Sequence, residues 1–299
     1  MTRYQYNLSR GKRVGLLSTA HGTIPLPAFF PVTTYGDNYP LDKMVRPYLN
    51  RLAPCIMVSY YYAQKMQHRP SLPLFIDSGG FAGLFAGSKI EEHGDHSCIR
   101  TKDGEEIHPL HLLHFQEQHA DIGATLDFII PPGTEVEEAK RLQKLTIQNA
   151  IYAKQHLTSP DLILFASLQC WDEDSARQSA GIYASAGFEG IAIGGYVPRA
   201  NDPYYIKTIV RAVRDEAPDC AIHVFGCGST TLLPELTALG ADSFDSSSYV
   251  RGAINSNSSA SGIHLTLYSA LVRLHETISA VTGVNTPVDV AIPNTQIFH

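Results

Sequence analysis

Apolar residues recur along this chain in short unbroken runs, separated by longer stretches in which they return every three or four positions. The runs fall at residues 27–35, 54–62, 74–80, 125–131, 162–169, 190–196, 221–228 and 243–249. Most are continuously apolar rather than alternating, the pattern of parallel strands covered on both faces. Between them, residues 40–51, 108–119, 135–156, 174–186, 203–216 and 230–239 carry helical periodicity. Residues 264–281 form a further amphipathic helix that would complete an outer ring. Eight strands in this alternation predict an α/β fold of the closed (β/α)8 kind, a TIM barrel, rather than an open sheet.

No low-complexity linker and no fixed-period repeat divides the chain, so residues 1–299 are read as a single barrel domain. Two segments fall outside the alternation. Residues 88–108, with the turn signal Asp103-Gly104 between polar strand-like flanks, predict a small hairpin inserted after the third strand, at the rim of the barrel mouth. Residues 285–299 are a Pro-containing C-terminal tail.

Composition narrows the class. The chain is 44% hydrophobic and 17% charged, as in soluble globular proteins, and no apolar run approaches the length needed to cross a bilayer. The opening Met1-Thr2-Arg3-Tyr4-Gln5-Tyr6 has no apolar stretch like that of a signal peptide, so a cytoplasmic location is expected. Cys55, Cys98, Cys170, Cys220 and Cys227 are scattered and odd in number, which predicts reduced thiols. A net charge of −6 does not advertise a nucleic-acid binder, although it leaves room for a local basic patch. His93, His96 and Cys98 match no closed zinc spacing and read as part of a polar loop.

Candidate chemistry gathers at strand ends. Phe75-Ile76-Asp77-Ser78-Gly79-Gly80-Phe81 brings a carboxylate, two glycines and an aromatic ring to one point; the bland alternative is a tight turn capped by Asp. Ala241-Asp242-Ser243-Phe244-Asp245 ends another strand in another carboxylate. In this barrel, sites assemble from residues at the C-terminal ends of the strands. Asp77, Asp127, Gln169, Gly194, Gly195 and Asp245 are therefore expected to converge on one mouth. Singly, Asp127 could be a cap, Gln169 an ordinary amide and Gly194-Gly195 a turn.

These segments resemble the tRNA-guanine transglycosylase family, enzymes of queuosine and archaeosine formation that exchange guanine for a 7-deazaguanine. The likeness runs from Leu17-Ser18-Thr19-Ala20-His21-Gly22 and Pro31-Val32-Thr33-Thr34-Tyr35-Gly36 through Asp77-Ser78-Gly79-Gly80-Phe81 to Ala192-Ile193-Gly194-Gly195 and Phe244-Asp245. It implies that Asp245 is the nucleophile on ribose C1′, leaving a covalent enzyme–nucleic acid intermediate, and that Asp77 is the general acid/base. Asp127, with Ser78, Gln169 and the Gly194-Gly195 backbone, would read the guanine edge. Phe81 and, by position, Phe225 would sandwich the base, although Phe225 equally suits a core strand.

The departures from the family pattern are specific. Ala82 stands where the family has Gln. Residues 246–299 hold no cysteine, so the family's zinc site, three cysteines and a histidine after the nucleophile, is absent and no cofactor is expected. Arg251 keeps one arginine of the family's nucleic-acid-reading segment, whereas Ile254 replaces another. The resemblance thus implies an active enzyme on tRNA, or one inserting 7-deazaguanines into DNA, or a non-catalytic partner subunit. The retained carboxylates favour the first two. A homo-oligomer or a helper subunit is also compatible with it, but the family's interface is not carried over.

Overall fold

The computed structural model describes residues 3–9, 12–35, 39–256 and 263–284. The predicted tail at 285–299 and Gly36 of the N-terminal motif lie outside the described residues. The chain opens with an antiparallel meander of β1 (Tyr4–Ser9), β2 (Lys12–Thr19) and β3 (Gly22–Leu26), which the apolar periodicity did not foresee. Leu17, Ile24 and Leu26 are buried while Leu8, Val14 and Leu16 are exposed. The meander thus turns one face inward, and its buried side chains join the barrel-interior residues Phe30, Phe75, Ile122 and Phe165 in one cluster.

The barrel follows as β4 (Ala28–Pro31), helix α1 (Pro40–Leu52), β5 (Ile56–Val58), the single turn α2 (Tyr60–Ala63) and β6 (Leu74–Ile76). An insertion of β7 (Lys89–Glu92), β8 (Ser97–Arg100) and β9 (Glu106–Ile107) comes next, then α3 (Pro109–His119) and β10 (Ile122–Ala124). The remainder alternates: α4 (Val136–His156), β11 (Ile163–Leu168), α5 (Glu173–Ser185), β12 (Gly190–Ile193), α6 (Pro203–Glu216), β13 (Ala221–Val224), α7 (Leu233–Ala238) and β14 (Ser243–Ser246). Helices α8 (Ser248–Ser256) and α9 (Ile263–Thr282) finish it.

Eight strands form one sheet in the order β4-β14-β13-β12-β11-β10-β6-β5, every pairing parallel. A parallel bridge between Val32 and Met57 and the bond from Thr33 N to Met57 O, 3.0 Å, join the two ends into a barrel. Interior aromatic rings fill it: Phe75 meets Phe30 and Phe165, each at 5.7 Å between centroids. Among the described residues no helix is long and apolar enough to cross a membrane.

Three expectations shift. The run at 125–131 is not the fourth barrel strand; that strand is Ile122–Ala124. Leu126, Phe128 and Ile130 are buried, but their segment leaves the sheet and is held by α4 side chains. Thr146 Oγ1 accepts from Phe128 N at 3.0 Å and Asn149 Nδ2 donates to Leu126 O at 3.3 Å. The run at 243–249 ends as a strand at Ser246, where Ser246 Oγ accepts from Ser248 N and starts α8. The 88–108 insertion is a three-stranded meander, with Asp103-Gly104 in the turn between β8 and β9.

Two buried aspartates pin the end of the barrel opposite its mouth. Asp242, just before β14, accepts from Tyr4 Oη at 2.8 Å, Arg214 Nη2 at 2.7 Å and Ile222 N at 2.8 Å, with Arg13 Nε 3.5 Å away. Asp121, just before β10, accepts from Arg69, from Leu74 N at 2.8 Å and from the His21 ring at 2.8 Å. Each ties a loop or the opening meander to the foot of a strand. Removing one member of a buried charge cluster strands the others, which typically costs about 3–5 kcal/mol. Asp242→Ala should therefore lower urea-measured stability by about that much; a loss below about 1 kcal/mol would show that the cluster does not hold the barrel foot.

Candidate active site

At the opposite end, the C-terminal ends of the strands enclose a cavity of about 200 Å³. Asp77, Ser78, Gly80, Phe81, Asp127, Gln169, Gly194, Gly195, Phe225 and Asp245 all line it. Of the candidate residues from the sequence only Arg251 does not: it lies exposed on α8, one turn beyond β14. Met57, Ile129, Val197 and Pro198 add an apolar lining that no motif marked.

Asp127 is 4% exposed and engaged on both oxygens. Ser78 Oγ donates to Oδ1 at 2.5 Å and Gln169 Nε2 donates to Oδ2 at 2.6 Å. Each carboxylate oxygen keeps a lone pair for a ligand, since an ionised carboxyl offers about four acceptor positions. Burial raises its pKa against these two bonds. Such a packed carboxylate demands close backbone approach. A Cβ at Gly80 would stand 2.2 Å from Asp127 Oδ1, and one at Gly194 would stand 2.0 Å from Gln169 Nε2.

Asp77 follows β6 and reaches into the same cavity. Its Oδ1 accepts from Tyr60 N at 2.9 Å and Gly79 N at 3.0 Å, and Gly79 turns the chain with φ +70°. Burial, reinforced by the charges of Asp245 and Asp127, lifts its pKa to about 7 although the two N–H bonds oppose the shift. A carboxyl poised there can both give and take a proton near neutrality.

Asp245 ends β14, 6% exposed. Its Oδ1 accepts from Gly226 N at 2.9 Å and lies 3.0 Å from His223 Nε2. Among the described residues nothing hydrogen-bonds Oδ2. His223 is fully buried, and its Nδ1 lies 2.9 Å from Ser243 Oγ. The network assigns the proton to Nε2, with Ser243 donating to Nδ1. His223 on β13 pairs with Ser243 on β14, and Phe225, one residue past β13, and Asp245 follow two positions further on, so all four share the inward face because side chains alternate along a strand. Sequence reading missed His223; its signal was a lone imidazole inside an apolar strand, two positions before Phe225.

The aromatic pair stands on separate supports. Phe225 packs against Phe75 at 5.9 Å and His223 at 5.0 Å, whereas Phe81 is 50% exposed and meets Phe85 edge-on at 5.9 Å. Arg199, also absent from the sequence reading, donates Nη1 to Ile130 O at 2.8 Å and Gly195 O at 3.2 Å. It thereby fixes the Gly194-Gly195 turn beside Asp127.

A statistical model of the family described as Queuine tRNA-ribosyltransferase matches residues 9–267. The tRNA-guanine(15) transglycosylase of Methanocaldococcus jannaschii is 27% identical over 246 residues, 79% of this chain and 37% of the relative. That of Archaeoglobus fulgidus is 26% identical over 253 residues, 79% of this chain and 49% of the relative. The Queuine tRNA-ribosyltransferase of Thermotoga neapolitana is 25% identical over 264 residues, 81% of this chain and 70% of the relative. The chain thus spans half or less of the archaeal relatives it matches.

The Asp77 shift makes a stability prediction with a definite sign. Its folded pKa of about 7 exceeds the ordinary 3.8, so between those values the native state holds a proton that the unfolded chain has released. The contribution of Asp77 to stability is therefore greatest at the acid end and falls as pH rises through that window. In Asp77→Asn this slope should vanish. Thermal midpoints measured from about pH 4 to about pH 8 should show the variant gaining on the parent as pH rises; parallel curves would contradict the shift.

Proposed function

The chain belongs to the queuine tRNA-ribosyltransferase family, and from that membership we propose that it is a pentosyltransferase exchanging guanine in a nucleic acid for a 7-deazaguanine. The observation that carries the reading is the set of three carboxylates, Asp77, Asp127 and Asp245, around one cavity of about 200 Å³. A flipped purine is a flat, apolar ligand with a polar edge, and the cavity offers aromatic rings and carboxylates to match. The setting proposed is the cytoplasm.

In the proposed reaction Asp245 attacks ribose C1′ through its unengaged Oδ2, while His223 and Gly226 N hold Oδ1 and fix the carboxylate plane. The C1′–N9 bond breaks, its electron pair goes to the purine, and Asp77 in its acid form supplies the proton. A covalent ester to Asp245 results. The incoming 7-deazaguanine then gives its N9 proton to Asp77, forms the new bond to C1′ and releases Asp245. Two displacements retain configuration, the logic of retaining glycosidases.

Asp127 reads the base in this scheme. Its remaining lone pairs accept the ring N–H and exocyclic amine of guanine, a donor pair that adenine lacks. Ser78 and Gln169 orient it, the Gly194-Gly195 backbone completes the edge, and Phe81 and Phe225 cover the two faces. Arg251 is proposed to contact the polymer backbone. The exchange needs no cofactor, and residues 246–299 offer no cysteines for the family's zinc site.

The names of the relatives favour tRNA as the polymer. DNA is the second reading, favoured by Ile254, 49% exposed on α8, where the family pattern expects a second arginine. The three retained carboxylates weigh against a non-catalytic partner subunit.

Exchange of labelled guanine into tRNA, single-stranded DNA and duplex DNA tests the reading. Label should enter one polymer, and Asp245→Asn should slow entry by more than about 10³-fold with the fold intact; retention of full activity would remove Asp245 from its role. Asp127→Asn should raise KM for the base more than it lowers kcat, and an unchanged base preference would contradict its assignment.

A further inference from the structure

Of the three residues that spacing alone left as a polar loop, His96 and Cys98 are grouped in the folded chain with His108 rather than with His93. His96, the residue before β8, and Cys98 within it lie two positions apart, which brings them to the same side of the chain. His108, the residue before α3, comes to meet them from the end of the insertion. One ligand atom from each of His96, Cys98 and His108 lies within 4.8 Å of the others. We propose that these three residues bind a single zinc-class divalent ion that staples the inserted meander to the start of α3. This goes beyond the base-exchange reading and does not depend on it.

The donor set suits that ion. One thiolate and two imidazoles favour zinc, and in a tetrahedral site such ligand atoms stand roughly 3.5 Å apart, so side-chain rotations of about 1 Å close the shell. Cys98 is fully buried, and among the described residues its sulfur has no hydrogen bond, unlike those of Cys55, Cys170 and Cys220. His96 is oriented from behind: its Nδ1 lies 2.7 Å from Asp95 Oδ1, which leaves Nε2 to face a metal, the usual carboxylate support of a ligating histidine. His96 also stacks on Tyr152 of α4 at 4.7 Å, and Asn149 of α4 bonds both backbone groups of Ser97. The third ligand is won at a local cost, because His108 Nδ1 now accepts from Leu110 N at 3.1 Å as the cap of α3. Coordination gives up that bond and leaves Leu110 N–H to water. The fourth position is open to water.

The site differs in place and residues from the zinc motif that the family resemblance implies after the nucleophile. Its mechanical consequence reaches the cavity. Ile99 and Ile107 flank the ligands and lie beneath the turn that carries Gly79 and Gly83, where added Cβ atoms would stand 3.7 Å from Ile107 Cδ1 and 3.4 Å from Ile99 Cδ1. A stapled meander thus gives the Asp77–Phe81 turn a firm floor.

The full chain, expressed with zinc and dialysed against metal-free buffer, is assayed for metal by mass spectrometry beside His96→Gln, Cys98→Ser and His108→Asn. The Asn substitution keeps a side-chain acceptor for the α3 cap. About one zinc per parent chain, lost or strongly reduced in the folded variants, is expected. The cobalt-substituted parent should also show a thiolate-to-cobalt charge-transfer band that Cys98→Ser lacks. A zinc-free parent, or equal zinc in the parent and all folded variants, would overturn the site. Should Cys98→Ser fail to fold, the other two variants and the charge-transfer band of the parent decide.

Discussion

Holding three carboxylates around one cavity of about 200 Å³ is intrinsically unfavourable, since each loses water and each repels the others. Most of the architecture of the barrel mouth answers that difficulty. Asp127 is tied by Ser78 and Gln169, Asp77 by two backbone N–H groups, and Asp245 by His223 and Gly226 N. The supports are unequal, and so are the results. Burial and the neighbouring charges of Asp245 and Asp127 lift Asp77 to about 7 against its two peptide donors, and Asp245 is held by the Gly226 N–H and the N–H of the His223 ring. The proposed acid/base and the proposed nucleophile are thus the same side-chain type held by different supports.

The same residue type does opposite work at the two ends of β14. Asp242 at its foot is locked by Arg13, Arg214 and Tyr4, and Asp245 three residues later faces the cavity. Asp121 repeats the first role at the foot of β10. The two aspartates at the barrel foot meet fixed countercharges and serve the fold; among the described residues, no arginine hydrogen-bonds the three at the mouth.

Continuous apolar runs identified seven of the barrel strands in place, because parallel strands covered on both faces leave that signature. The eighth failed for a physical reason: Leu126, Phe128 and Ile130 are as buried as strand residues, but their backbone is satisfied by Thr146 and Asn149 of α4 instead of a ladder. Burial is legible in a sequence, and the partner of a backbone group is not. The strand-end carboxylates and glycines were legible because the fold assigns that end of each strand to the mouth. His223 was not, since its meaning depends on Asp245 across the β13–β14 pairing. His108 joined His96 and Cys98 only once the meander had folded. The opening meander, short and partly polar, gave no periodic signal strong enough to read.

The proposed exchange requires Asp245 to form a bond to ribose. The most direct measurement is a denaturing gel of the protein after incubation with tRNA, single-stranded DNA or duplex DNA, with any adduct site mapped by mass spectrometry. Exchange through Asp245 predicts a denaturation-resistant protein–nucleic acid species, linked through Asp245, that is absent from Asp245→Asn and is discharged by added guanine. A species that persists in Asp245→Asn, or turnover by the parent with no covalent species at any time, would contradict it.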